Sequence, residues 1–389
     1  GIFLGSLDAK PEEQSTKPLL ASPVSEVYAP SSDPRSGHLL FLREGTLMAQ
    51  SFDAQDLKLT GEPVPAAEQV ASINGVAGQF TASTNGVLAY HSGVGVTDIQ
   101  LTWFDRAGKA LTTVGDTAFL QRPTISPDGR TVAIDRRDSS GFFDVWLYDL
   151  ARGNTTRLTF GSHDSGFPVW SPDGTRLAYY AALGGHDQVV QKAASGVGQE
   201  EVLDPGVPGR RPLDWSRDGR YIIEGISDPK TKLDVWVLPL FGDLKPFPYL
   251  HSEFNELDAK LSPDGEWIAY TCDETGRSEI YVQTFPKPEG KWQVSTSGGR
   301  LPVWSRDGKE LFFISAAQKM MAVEVKSGSK PGARFEAGVP KPLFDTHLEV
   351  PFSPSFDVSK DGRFLLPTRT GQGSTSPITV IVNWTTGLK

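Results

Sequence analysis

Sulfur and histidine are scarce in this chain. One cysteine, Cys272, excludes an intrachain disulfide and any cysteine-based metal cluster, and it leaves the redox compartment open. His38, His91, His163, His186, His251 and His347 are widely separated, and none lies in a His-Glu-x-x-His zinc pattern. No stretch approaches the ~18–20 uncharged apolar residues of a membrane helix, and no signal-peptide pattern opens the chain. Positive charge is also short. The 38 Lys and Arg against 47 Asp and Glu give a net charge of −9, which disfavours a nucleic-acid partner held by phosphate neutralisation. Phosphate-cradling Gly-rich loops, a Gly-x-Ser-x-Gly nucleophile elbow and any sustained 3.6-residue apolar period are missing too.

Turn formers, by contrast, are plentiful, with 40 glycines and 29 prolines in 389 residues. They organise a repeat. Ser-Pro-Asp-Gly occurs at Ser126–Gly129, Ser171–Gly174 and Ser262–Gly265. Ser-Arg-Asp-Gly occurs at Ser216–Gly219 and Ser305–Gly308, and Ser-Lys-Asp-Gly at Ser359–Gly362. Ser83–Gly86 is a weaker copy and Ser36-Gly37 a degenerate one. The glycines Gly37, Gly86, Gly129, Gly174, Gly219, Gly265, Gly308 and Gly362 are spaced 43 to 54 residues apart. A period near 45 in strand-rich sequence is that of a β-propeller blade.

The tetrapeptide suits a type I turn closed by a glycine in the left-handed region, so its Asp reads as a turn former. Arg217, Arg306 and Lys360 stand where other copies have Pro, a position at which a type I turn accepts most residues. Apolar β-branched and aromatic runs flank each turn, as in Pro168-Val169-Trp170 before and Arg176–Tyr180 after. The expectation is an all-β propeller of about eight four-stranded blades, closed by N- and C-terminal strands, as one domain over 1–389. Residues 1–25 complete the last blade. The blades fall near 26–75, 76–117, 118–162, 163–207, 208–252, 253–299, 300–347 and 348–389.

The run Pro-Val-Trp-Ser-Pro-Asp-Gly-Thr-Arg-Leu-Ala-Tyr at 168–179, with third strands such as Glu279–Val282, resembles the propeller of TolB and related WD-repeat-like proteins. More narrowly, Gly1–Asp8, Leu40–Phe52 and Leu261–Ser315 look like the C-terminal propeller of acidobacterial-type serine/threonine protein kinases. That second resemblance implies an extracytoplasmic sensor propeller, tethered through an upstream segment to a kinase. The chain itself carries no kinase signature, so no kinase activity transfers to any residue.

The functional expectation is a non-enzymatic propeller, without cofactor or metal, that binds a peptide, a protein or a small polar ligand at its channel mouth. A TolB-like interaction scaffold is the first alternative, and a propeller hydrolase or lyase with dispersed residues the second. Loops entering the inner strands gather at one mouth. They offer Arg122, His163, Asp164, Arg210, Arg211, Asn255, Glu256 and Arg300 as ligand contacts, with Gln121, Glu253, His347 and Glu349 nearby. Five residues before the turn glycines, Asp214, Lys260 and Asp357 line the channel, where a charge needs a partner; Asp214 and Lys260 are placed to pair. The acids before third strands, Asp98, Asp144, Asp187, Asp234 and Glu279, recur blade after blade, which fits a loop cap better than a unique active site.

Overall fold

A computed structural model describes residues 2–6, 8, 10, 14–20, 26–31, 33–43, 45–73, 77–92, 99–137, 142–161, 163–184, 186–204, 209–242, 244–327, 335–346, 348, 355–370 and 378–388. Their regular structure is strand, apart from one 3₁₀ turn at Trp384–Gly387. The chain divides into two compact units, Gly1–Asp98 with Gly371–Lys389, and Ile99–Thr370.

The larger unit is a β-propeller of six antiparallel sheets, each led by an inner strand. In chain order these inner strands are Leu120–Ile125, Ser165–Trp170, Arg211–Trp215, Glu256–Leu261, Gly299–Trp304 and Asp357–Val358. They define the first to sixth blades. The repeated tetrapeptide joins each to its second strand by one hydrogen-bond pattern. In the first blade Gly129 N–H donates to the Ser126 carbonyl at 2.9 Å. The Ser126 hydroxyl donates to Asp128 Oδ1 at 2.6 Å and accepts Thr131 N–H at 3.0 Å. Gly129 has φ 76°, the left-handed conformation that a side chain resists. The hydroxyl of Ser126 holds the Asp128 carboxyl below its ordinary pKa, as Ser171 does for Asp173 and Ser305 for Asp307. The motif aspartates are turn formers.

Apolar residues of neighbouring sheets interlock, so the core lies between blades. Ala133, Val145 and Leu158 of the first blade pack with Trp170, Leu177 and Tyr179 of the second. Trp267, Ile280 and Val282 of the fourth pack with Leu311, Phe313 and Val323 of the fifth. The sixth sheet takes strands from both ends of the unit, in the order Ala110–Ala118, Ile99–Phe104, Phe364–Arg369, Asp357–Val358. Pairing runs from Phe364 opposite Phe104 to Arg369 opposite Ile99.

That pairing corrects the assignment of the N-terminal segment. Ile2 forms an isolated bridge with Leu20 and completes no sheet of the larger unit. Ile99–Phe104 takes that place, with Ile99, Leu101 and Trp103 buried along one face and Thr102 on the other. The expected blade at 76–117 is accordingly divided. Phe80–Ala82 and Val87–His91 form a three-stranded sheet with Ile378–Val382 in the smaller unit, while 99–118 serves the propeller. The described residues hold eight sheets of three or more strands, six in the larger unit and two in the smaller, where about eight four-stranded blades of one domain were expected.

In the smaller unit Glu26–Pro30, Ser36–Arg43, Thr46–Asp53 and Lys58–Ala67 form a four-stranded meander. Its Leu40, Leu47 and Ala49 share a core with Leu88 and Trp384.

Candidate functional site

Inner strands of all six blades line one central cavity of about 390 Å³. Five of the six strands enter with a kink, Arg211–Trp215 through a shift between Pro212 and Asp214. Register shifts occur between Gln121 and Thr124, Gly166 and Val169, Leu257 and Lys260, and Arg300 and Val303. At these bulges Arg122, Phe167, Asp258 and Leu301 take positive φ of 51° to 59°. A non-glycine residue held there is strained, and the bulge re-aims its side chain towards the channel. All inner strands run in one sense, so the bulges gather at one mouth and the Ser-x-Asp-Gly turns at the other.

Midway along the channel lie Thr124, Val169, Asp214, Lys260, Val303 and Asp357. Asp214 and Lys260 were expected to pair, but no ion pair joins these two described residues. Each instead binds the backbone of the other's blade. Asp214 Oδ2 accepts Leu261 N–H at 2.7 Å, and Lys260 Nζ donates to the Leu213 carbonyl. Asp357 Oδ2 does the same for Ile125 N–H at 2.7 Å, linking the sixth blade to the first. Burial raises the pKa of Asp214 against the pull of Lys260. Two of the three tryptophans behind this row, Trp170 and Trp304, tie the previous blade. Trp170 Nε1 donates to the Thr124 carbonyl and Trp304 Nε1 to the Lys260 carbonyl, both at 3.0 Å.

Of the eight residues expected at the bulge-side mouth, Arg122 lines the cavity. Its guanidinium pairs with Asp135 at 2.6 Å and lies 3.5 Å from the Phe167 ring centroid. Burial lifts the Asp135 carboxyl to about 6 despite that neighbour. Arg211 covers the same ring at 5.1 Å and faces Asp187 at 3.6 Å. Asp164 accepts Phe143 N–H at 2.7 Å, capping a third strand of the first blade. His163 is half-buried beside Gly161. Asn255 clamps Asp273 through its backbone and side-chain N–H, at 2.8 and 2.6 Å. Arg300 reaches Gln318 Oε1 at 3.4 Å.

Arg210 and Glu256 are buried, not on a solvated rim. Two acids on neighbouring strands draw Arg210 inward, Asp204 at 2.6 Å and Glu224 at 2.9 Å, and its guanidinium lies 5.0 Å from the Trp236 ring centroid. Glu256 accepts the Ser252 hydroxyl at 2.5 Å. His347, Glu349 and Asp98 lie outside the described residues.

The recurring acids of the third strands act as caps. Asp144 accepts the Thr159 hydroxyl at 2.8 Å and pairs with Arg157 at 2.5 Å. Glu279 accepts the Ser295 hydroxyl and Gly298 N–H, and Asp234 pairs with His251 Nδ1 at 2.7 Å. Among the described residues no group of three or more His, Cys, Asp or Glu is arranged to hold a metal ion.

At the opposite mouth, the second residue of each turn lines the channel: Pro127, Pro172, Arg217, Pro263, Arg306 and Lys360. Sequence reasoning passed over the three cations because the turn tolerates them. The signal was their shared position in the repeat, which puts all three on one ring. Arg306 reaches the Val358 carbonyl at 3.0 Å, Asp357 Oδ2 at 3.1 Å and the Ile125 carbonyl at 3.3 Å. Arg217 Nη2 donates to the Arg306 carbonyl at 3.3 Å.

No family model matches the chain. A 146-residue stretch, 36% of the chain, is 27% identical to the Tol-Pal system protein TolB of Alcanivorax borkumensis, over 33% of that protein. Another of 153 residues, 39% of the chain, is 24% identical to the uncharacterized peptidase YuxL of Bacillus subtilis, over 22% of it. The chain thus spans about a third and a fifth of the lengths of these curated relatives. Among solved structures, the putative TolB from Agrobacterium tumefaciens superposes with a TM-score of 0.53 at 17% identity, over 71% of this chain and 99% of that one. The fold is a TolB-like β-propeller.

Proposed function

We propose that the chain is a protein-interaction scaffold whose propeller channel receives a segment of a partner protein. The observation that carries this reading is the channel itself. It is lined by all six inner strands, its wall is fixed by side chain-to-backbone ties between blades, and it presents charge of both signs. Such a wall is pre-organised, which lowers the ordering cost of binding an extended segment. Opposed charges fix the direction and register of what enters. Similarity to a Tol-Pal system protein supports the reading, and with it an extracytoplasmic location in the cell envelope. A sensor role tied to a serine/threonine kinase has its support in the sequence motifs alone, and would use the same channel for its ligand. The likeness to YuxL favours a second reading, a propeller that serves a peptidase, through a match covering 22% of that protein.

The test is a displayed-peptide selection against the whole chain, repeated on Thr124→Trp/Val303→Trp. Both residues are half-buried and line the channel, so two indoles fill it. Selected peptides are expected to lose at least about tenfold in affinity on the filled variant, about 1.4 kcal/mol. Unchanged affinity, with the melting temperature preserved, would place binding elsewhere. Cleavage of the peptides by the pure chain would favour an enzyme.

A further inference from the structure

We propose that the turn-side mouth of the channel is a carboxylate site, seating an acidic residue or the C-terminus of the partner segment at Arg217, Arg306 and Lys360. This inference rests on the channel reading above and names the chemistry that the channel selects.

The protein as a whole carries a net charge of −9, so a carboxylate is repelled over most of its surface. The turn-side ring is a local exception. Three blades place Pro at the second turn position and three place a cation there, in one ring around one opening. A turn demands no cation at that position, as the Pro-bearing blades show.

The carboxylates within the channel are already engaged. Asp214 holds Leu261 N–H, and Asp357 holds Ile125 N–H and Arg306. Asp258 accepts the Thr271 hydroxyl at 3.1 Å and Leu301 N–H at 3.4 Å. The cations are less completely matched. Among the described residues Arg217 has no carboxylate within ion-pair distance, although it leans on the backbone of Arg306, itself a cation. Burial, together with that proximity, lowers the pKa of Arg217. Like charges drawn together from the third and fifth blades repel, and an anion between them converts repulsion into two charge-assisted hydrogen bonds. Lys360 is exposed at the equivalent position of the sixth blade and adds a third positive group.

Arginine matches carboxylate geometry in a planar fork, whereas lysine adds a mobile point charge. A carboxylate that reaches the ring from inside the channel meets the three groups at the end of its path. The ring therefore reads the polarity of an entering segment as well as its charge.

The probes are fluorescein-labelled peptides: GGEEGG as a C-terminal amide, GGQQGG as the amide, and GGQQGG as the free acid. Binding is measured by anisotropy on the full chain and on Arg217→Pro/Lys360→Pro. Proline is what the first, second and fourth blades carry at this position, and neither amide N–H is a donor in its turn, so the variant is expected to keep the wild-type melting temperature. The acidic amide is expected to bind at least about tenfold tighter than the neutral amide, with the difference lost in the double variant. Recovery of that affinity by the free acid of GGQQGG assigns the site to a chain terminus, and its failure to recover assigns it to acidic side chains. Equal binding of all three probes, a preference for either carboxylate-bearing probe that survives in the double variant, or no binding of either of them up to about 1 mM would each overturn the carboxylate site. The channel reading stands or falls separately, on whether Thr124→Trp/Val303→Trp abolishes the binding of library-selected peptides.

Discussion

The carboxylate of Asp214 accepts the backbone N–H of Leu261 at 2.7 Å, so a side chain of the third blade completes the hydrogen bonding of the fourth. Asp357 repeats the arrangement with Ile125 across the sixth and first blades. Inner strands of a propeller do not form a ladder with one another, and their amides need partners from elsewhere. Here two aspartates at the same repeat position supply them.

Asp214→Ala is therefore expected to lower stability by about 1–3 kcal/mol, because it leaves the Leu261 amide without its acceptor. Thr124→Ala, in the same row of the channel, is expected to cost within about 0.5 kcal/mol, since Thr124 ties to Trp170 through its backbone carbonyl. Urea unfolding of both variants checks the pair. Equal losses would show that Asp214 acts only as one more polar side chain of the wall.

Glu224 makes stability depend on pH. It is fully buried, one oxygen accepts Arg210, and the other, Oε1, has no partner among the described residues. Burial raises its pKa to about 7, from the ordinary 4.5. The folded state then holds a proton that the unfolded chain releases, so stability is full below about pH 4.5 and falls as pH rises towards 7. Glu224→Gln removes this titration and is expected to flatten that part of the pH–stability profile. Chemical denaturation at pH 5 and pH 8 reads the difference, of order 2 kcal/mol between the two proteins. A parallel decline in wild type and variant would assign the pH dependence to another group.

The turn glycines set a different limit. Gly174 has φ 71°, and a Cβ added there would lie 3.5 Å from Pro127 Cδ, so conformation and not space governs the cost. Gly174→Val is expected to destabilise by at least about 1–2 kcal/mol. His163→Ala, in a half-buried loop, is expected to stay within about 0.5 kcal/mol. Melting curves compare the two, and equal shifts would contradict the role of Gly174.

Much of this was legible from the repeat. A Ser-x-Asp-Gly turn acts within a few residues, so its spacing located six inner strands, and the row five residues before each glycine located the channel wall at Asp214, Lys260 and Asp357. Partner choice over long separations was not legible. Phe364–Arg369 pairs with Ile99–Phe104, more than 250 residues away, because those buried faces match, and no local signal distinguishes that strand from Ile2–Leu7. Arg210 looked like one half of an exposed basic pair with Arg211, yet Asp204 and Glu224, on strands that flank it only after folding, bury it. Arg217, Arg306 and Lys360 were visible as departures from Pro, but their convergence on one mouth required the ring.

Arg306 is expected to differ from its two ring neighbours in what its loss does to the fold. Its guanidinium spans three blades, from its own turn in the fifth to Val358 and Asp357 in the sixth and the Ile125 carbonyl in the first. It lies where the inner strand of the sixth blade meets that of the first, two blades whose covalent link runs from the outer strand Ala110–Ala118 into Leu120. Arg306→Ala leaves two backbone carbonyls and one carboxylate without their shared donor, a loss of about 1.5–3 kcal/mol for hydrogen bonds to a charged group. Arg306→Lys is expected to recover little, because one ammonium cannot reproduce the fork that serves three acceptors. Arg217→Pro, whose side chain makes one hydrogen bond, is expected to stay near wild type. Hydrogen exchange reads the distinction directly. In Arg306→Ala the Ile125 and Val358 amides are expected to lose protection before the second-strand amides of the third blade, and uniform loss across all blades would mean that Arg306 stabilises the unit without holding its join.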